Sequence, residues 1–402
     1  AATIVESAWK CQAEMIGPPA APAPRTAVSR MAFDKLQGGR YAAVAGGRYR
    51  QIPVGSSGVP LARKLVFILI SGLFVSGSLA AVLWVELKNY AVTPASPVAS
   101  EEKTVLIRSG QHFSSVVEYL FRTEIIRSPL KFRLLARLQG ADRRLKAGEY
   151  SLRASMTPQE ILAVLERGLV KLYRLTVPEG WTLRQIAEAA EKTGLGTAAE
   201  FIAAAGNAAA ARRDGIEADS FEGYLFPDTY LFPREVSAET MVAVMHARFR
   251  KVFTSEWARR AAELGFSVHD TVTLASIIEK ETGDPAERPL ISSVFHNRLK
   301  RGMRLETDPT VIYGIEDFDG NLTRRHLSTP TAYNTYIIRG LPPGPIASPG
   351  RASLHAALYP VSTDYLFFVS RNDGTHAFST TLDDHNRAVR RYQPRSSGPR
   401  TP

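Results

Sequence analysis

The chain has 402 residues, 45% of them apolar and 22% charged, a balance that supports more than one packed domain and excludes global disorder. Its formal net charge is +11, but residues 1–64 hold nine Lys or Arg against three acids and so supply +6 of it. The remaining +5 is spread too thinly for a nucleic-acid footprint, and no nucleic-acid partner is expected.

Residues 1–64 are rich in Ala, Gly, Pro and Arg without lasting periodicity, which predicts a disordered tail. Met31 is a candidate translation start, and Cys11 is the single cysteine, so no intrachain disulfide is possible. Next comes "LVFILISGLFVSGSLAAVLWV", residues 65–85, which are 21 residues without a charge and long enough for a ~30 Å hydrocarbon core. The run is too long for a signal-peptide core and too far from the N-terminus, so it predicts a retained transmembrane helix. Arg63 and Lys64 flank it on one side, and Glu86, Glu101 and Glu102 follow on the other. The basic flank predicts a cytoplasmic N-terminus and an exported remainder.

A linker is predicted over 86–103, with a Pro/Ala/Ser stretch at 91–100, and then a small α+β module over 104–170. "TVLIR" and "GEYSL" read as strands, with "SSVVEYLFRT" and "SPLKFRLLARLQG" as helices between them. Thr157, Pro158 and Glu160 form a capping box with Pro at the first helical position, and Gly168 closes that helix. A similar strand, glycine turn and capped helix recurs at "RLTVPEGWTLRQIAEAA", with Thr182 and Gln185 as a second capping box. Residues 171–390 form the predicted mixed α+β main domain, and 391–402 a disordered tail. "FEGYLFPDTYLFP", residues 221–233, reads equally as a sugar groove lining or as a packed loop.

The helix "LASIIEKET" carries Glu279 and Glu281 in its last turn, before Gly283 and Pro285 end it. On a helical wheel with Leu274 at zero, Glu281 lands at about 340° and Glu279 at about 140°, within or at the edge of the apolar arc. Buried carboxyls near the negative end of a helix hold their protons more firmly, which suits a general acid. The bland alternative is a carboxylate paired with Arg288, Arg298 or Arg304, expected for one of the two.

A further helix runs from "ERPLISSVFHNRLK" to Gly302, and Asp308 is predicted to N-cap a short helix with Pro309 at its first position. His296 reads as a structural histidine, and no second ligand stands at a zinc-binding spacing, so no metal or other cofactor is expected. "DYLFFVS", "RNDG" and "THAFSTT" predict a β-hairpin with Asp373-Gly374 in its turn, followed by a closing helix at about 382–392.

Four blocks in order, "LASIIEKET", "VFHNRLKRGMRLETDPTVIYG", "YNTYIIRGLPPGPIASPG" with "ALYP", and "DYLFFVS…GTHAFSTTLDDHNRAV", resemble the MltG (YceG-like) endolytic murein transglycosylases from about residue 104 to 390. The resemblance implies a single inner-membrane anchor, a LysM-like module at 104–170 and a catalytic domain that cuts nascent peptidoglycan glycan strands. It places the catalytic glutamate at Glu279. Glu306 stands where the family often has Gln. Peptidoglycan is then the expected substrate, and peptidoglycan synthases the candidate protein partners.

Such an enzyme needs one group to protonate the bridging oxygen between N-acetylmuramic acid and N-acetylglucosamine and then to take the proton of the muramyl C6 hydroxyl. That hydroxyl closes on C1, so the second carboxylate of a glycosidase is not required. Glu281, Asp308, Tyr313, Tyr333, Asn334 and Tyr336 are the expected substrate contacts, and "GLPPGPIASPG" is a stiff loop beside them. A non-catalytic peptidoglycan-binding scaffold that recruits synthases is the alternative, and a hydrolase pairing Glu279 with Asp308 or Glu281 is a weaker variant.

Overall fold

The computed structural model describes residues 61–99 and 101–393. Cys11, Met31 and most of both predicted tails lie outside these residues, while 61–64 and 391–392, assigned to the tails, are helical.

Helix α1 (Leu61–Val92) is 32 residues long, and among the described residues it is the one helix long and apolar enough to cross a membrane. It starts before the predicted span and outruns it. Its final turns leave the uniformly apolar stretch and bury Leu87 and Ala91 against the next module, while the Tyr90 hydroxyl donates to the Ser128 carbonyl at 3.1 Å. The predicted linker is thus helical up to Val92.

The first module runs β1 (Glu102–Ile107), α2 (Phe113–Arg122), α3 (Pro129–Gln139), β2 (Gly148–Arg153) and α4 (Pro158–Arg167). The two strands pair antiparallel, with Val105 opposite Tyr150. Alternate strand residues and the apolar faces of the helices close a core of Val117, Leu120, Phe132, Tyr150, Ile161 and Leu165, each fully buried. Each such side chain contributes roughly 1.5–3 kcal/mol of transfer free energy. Thr157 and Glu160 make the expected capping box, and Gly168 takes the left-handed conformation that ends α4.

A second core begins with β3 (Leu172–Thr176) and α5 (Leu183–Thr193), which is opened by the Thr182–Gln185 capping box. Short helices α6 (Ala198–Ala205) and α7 (Ala208–Arg213) follow, then β4 (Thr229–Pro233). Strand β4 pairs antiparallel with β3, a pairing not anticipated because Pro and aromatic residues obscure the alternation. The segment 221–233 is a packed element: Phe221, Tyr224, Leu225 and Phe232 are buried. Helices α8 (Ala238–Val252) and α9 (Ser255–Glu263) complete this layer.

Helix α10 (Val268–Glu281) is the centre of the second core, with Leu274, Ala275, Ile277 and Ile278 fully buried. A helix apolar on all sides has neighbours on all sides. Here these include α11 (Arg288–Lys300), α12 (Asp308–Tyr313) and α14 (Arg351–Leu358). Between the last two lie α13 (Arg324–Ser328) and the proline loop, whose Ile346 N–H donates to Ser276 Oγ on α10 at 3.0 Å. The hairpin of β5 (Phe367–Ser370) and β6 (His376–Ser379) and the closing helix α15 (Leu382–Tyr392) stand where the sequence predicts them. The cap of α12 is shifted by one residue: Thr307 holds the N-cap position, and Asp308 is the first helical residue.

Candidate active site

Two consecutive odd-numbered residues on α10 diverge by about 200°, so its last turn sends Glu279 and Glu281 into different surroundings. The Glu279 carboxylate is engaged at both oxygens. Arg288 Nη2, at the start of α11, lies 3.3 Å from Oε1, and the Gly350 N–H, just ahead of α14, donates to Oε2 at 2.9 Å. The pairing anticipated for one of the two glutamates therefore falls on Glu279.

A third carboxylate that sequence reasoning missed joins this cluster. Glu179, in the "VPEGW" turn after β3, has Oε2 at 3.9 Å from the same Arg288 nitrogen. Burial, and secondarily the charge of Glu279, push its pKa up against the pull of Arg288. A Cβ on residue 350 would lie 1.9 Å from Glu179 Oε1, so only glycine permits this approach.

Glu281 faces the other way, toward α11, α12 and the hairpin. Thr307 Oγ1 donates to its Oε1, and its pKa is pushed up to about 7, chiefly by burial. The Thr307 bond opposes that shift, the Asp308 charge adds to it, and His376 and Arg298 oppose it more weakly. The residue keeps partial solvent exposure. Two oxygens, one neutral donor and a raised pKa describe a carboxyl that still holds a proton near neutrality.

Asp308 and Tyr336 assemble beside Glu281: the Tyr336 hydroxyl donates to Asp308 Oδ1 at 2.7 Å. Glu306 lies next to them with a φ of 51°, unusual for a non-glycine residue, and its Oε2 is 3.4 Å from Arg298 Nη1. Thr335, fully buried, ties this segment to the 333–336 loop: its Oγ1 accepts from the Thr307 N–H at 3.1 Å.

Tyr313 and Tyr333 lie elsewhere, against each other with ring centroids 4.8 Å apart. The Tyr313 hydroxyl donates to Glu222 Oε2 at 3.1 Å. Glu222 also accepts the Leu183 N–H at 3.1 Å, and burial pushes its pKa up to about 7. It too was missed, because the segment 221–233 was read by its aromatic and proline residues and no carboxylate in it was singled out.

Asn334 differs from its expected role. It is fully buried, its Nδ2 donates to the carbonyls of His326, Leu327 and Thr329, and its Oδ1 accepts the Tyr336 N–H at 3.0 Å. No part of the amide is left for a sugar. Among the described residues, no group of three or more His, Cys, Asp or Glu is arranged to hold a metal ion.

Comparison with known proteins matches this chain to the sequence model of the YceG-like family over residues 105–391. An endolytic murein transglycosylase of Bacillus subtilis (strain 168) is 34% identical over 325 residues, covering 75% of this chain and 89% of that protein. One of Streptococcus pneumoniae serotype 2 is 28% identical over 337 residues, 75% of this chain and 61% of its own length. The crystal structure of a yceG-like protein from Listeria monocytogenes covers 71% of this chain and 99% of its own, with 33% identity and a TM-score of 0.50.

Proposed function

The chain belongs to the YceG-like family, and on that premise we propose that it is a membrane-anchored murein transglycosylase of the lytic type with Glu281 as its general acid and base. The relatives' name supplies the reaction class, and the Glu281 carboxyl is the observation that supports the residue. It is partly exposed, bonded by a neutral hydroxyl and protonated up to about pH 7. Glu281 gives its proton to the glycosidic oxygen that leaves the muramyl C1. The resulting carboxylate takes the proton of the muramyl C6 hydroxyl, and the new C6–O–C1 bond closes a 1,6-anhydro ring. Proton transfer of this kind supplies about 10²- to 10⁴-fold, and the remainder comes from holding the sugar. The Asp308–Tyr336 pair beside Glu281 supports a role for both in holding it, and the Tyr313–Tyr333 pair lies apart from them.

Glu279 is the second reading for the acid, favoured by the sequence resemblance. Its carboxylate faces an arginine and a backbone N–H, a setting suited to fixing the end of α10. The β1–α2–α3–β2 order of the first module supports a LysM-like identity, and the basic flank before the span supports a cytoplasmic N-terminus with a periplasmic catalytic domain. Incubating the full chain with uncrosslinked glycan strands tests the activity. Shortened strands are expected, and intact strands after incubation with folded protein would leave a binding scaffold in place of an enzyme.

A further inference from the structure

A cavity of about 630 Å³ opens near the start of α10, whose other end carries Glu281, and lies within the roughly 300–1,000 Å³ range of small-ligand sites. Its walls include the side chains of Tyr333, Pro343 and Pro345, and Glu222 lies in its lining, held by Tyr313 and the Leu183 N–H. Ser220 and Glu217 add a hydroxyl and an exposed carboxylate at the rim.

Two connections tie this cavity to Glu281. Helix α12 has six residues and spans roughly 9 Å, with Asp308 beside Glu281 at one end and Tyr313 on Glu222 at the other. The loop 333–336 runs in parallel with it. Tyr333 lines the cavity, Thr335 holds Thr307, and Tyr336 reaches Asp308. Pro343 of the lining is held by His269 on α10, its carbonyl 2.8 Å from Nε2, and Glu281 lies twelve residues further along that helix, roughly 18 Å away. A group in the cavity therefore lies more than one sugar ring from a bond cut at Glu281, yet within reach of the same strand.

The lining selects a chemistry. Arg212, the cation among the lining residues, is paired with Asp219 and is outnumbered there by Glu217, Asp219 and Glu222, so the lining disfavours an acidic group. Carboxyl and hydroxyl oxygens accept hydrogen bonds from sugar hydroxyls and from an acetamido N–H, and tyrosine and proline faces pack against the apolar face of a pyranose. We propose that this cavity is a distal subsite for a neutral N-acetylated sugar of the strand being cut. The inference rests on the transglycosylase reading above. It makes the enzyme sensitive to strand length, because a strand too short to reach from Glu281 to the cavity forgoes the second contact.

The test compares kcat/KM of the full chain on uncrosslinked strands of increasing length, for wild type, Glu217→Ala with Ser220→Ala, and Ala218→Trp, which fills the cavity. Wild type is expected to favour long strands, and both variants are expected to lose about tenfold of that long-to-short ratio, through KM. An unchanged ratio in both folded variants overturns the subsite while leaving the activity standing. If wild type cuts no strand, the enzyme reading fails, and retention of long strands by the full chain decides the subsite alone. Weaker retention by Ala218→Trp supports it, and equal retention overturns it.

Discussion

Arg288 Nη2 lies 3.3 Å from Glu279 Oε1, and the two side chains are 10% and 6% exposed, so a nearly closed ion pair joins the end of α10 to the start of α11. Removing one partner of such a pair strands the other, at a cost of about 3–5 kcal/mol. Arg288→Ala should therefore lower the thermal midpoint sharply, and Glu279→Gln, which keeps an acceptor for Gly350, should lower it less. Glu281→Gln should leave the fold intact and reduce turnover at least ~10²-fold, whereas Glu279→Gln should cost turnover less than ~10-fold. Should folded Glu279→Gln prove the more damaging to turnover, the acid is Glu279 and the sequence resemblance had placed it correctly.

Activity should follow the protonated form of Glu281. With a pKa near 7, the rate is level at lower pH and falls about tenfold per pH unit above it. Thr307 stabilises the ionised form, so Thr307→Val should move the falling limb to higher pH. The same shift bears on stability. A carboxyl whose pKa is raised on folding contributes its stability fully below the unfolded value of 4.5, and that contribution is lost as the pH rises through about 7. Between those values wild type should lose about 3 kcal/mol that Glu281→Gln retains. Thermal midpoints of the two proteins across pH 5–8 measure the difference, and parallel curves would argue against a buried, raised carboxyl.

Asn334 and Tyr336 stand two residues apart in the "YNTY" loop and should behave differently. Asn334→Ala removes three donated bonds inside a buried loop, so the midpoint should fall by the equivalent of roughly 2–4 kcal/mol. Tyr336→Phe loses a single hydroxyl contact to Asp308 at 2.7 Å and should act mainly on KM and kcat, with the midpoint nearly unchanged. Thermal melts paired with steady-state kinetics separate the two.

These contrasts mark what the sequence made legible. Caps and turns are local chemistry, so Thr157, Thr182, Gly168 and the hairpin turn at Asp373-Gly374 are found where their residue types place them. The two-glutamate helix end was equally plain. Which glutamate meets Arg288 was not, because that depends on where α11 and Gly350 arrive from 9 and 71 residues away. Glu222 and Glu179 were hidden for the same reason: their partners lie on distant segments, and only packing brings them together. Asn334 looked like a sugar ligand because an amide offers the same donors to a carbohydrate as to a neighbouring carbonyl.

The proposed orientation in the membrane rests on charge. With nine basic residues against three acids in 1–64, reporters fused before the span should be active in the cytoplasm and reporters fused after residue 390 in the periplasm. Cytoplasmic activity of the C-terminal fusion would invert the topology and separate the catalytic domain from its wall substrate.

The product separates acid-and-base catalysis by one carboxyl from ordinary hydrolysis. If Glu281 holds the muramyl unit with its own C6 hydroxyl nearer to C1 than any water, ring closure is unimolecular, an advantage that reaches ~10⁵ M or more in effective concentration. Each cut should then leave a 1,6-anhydro-muramyl end lighter by one water than a hydrolytic end, with no solvent oxygen incorporated. In ¹⁸O-labelled water, mass spectrometry of the digest should find unlabelled ends throughout. Labelled reducing ends would mean that water attacks C1, and they would require a second carboxylate to activate it. Asp308 is the nearest candidate, since its charge already acts on Glu281. Asp308→Asn would then abolish the labelled product, whereas a lytic enzyme carrying the same substitution should still form anhydro ends, more slowly and with a raised KM.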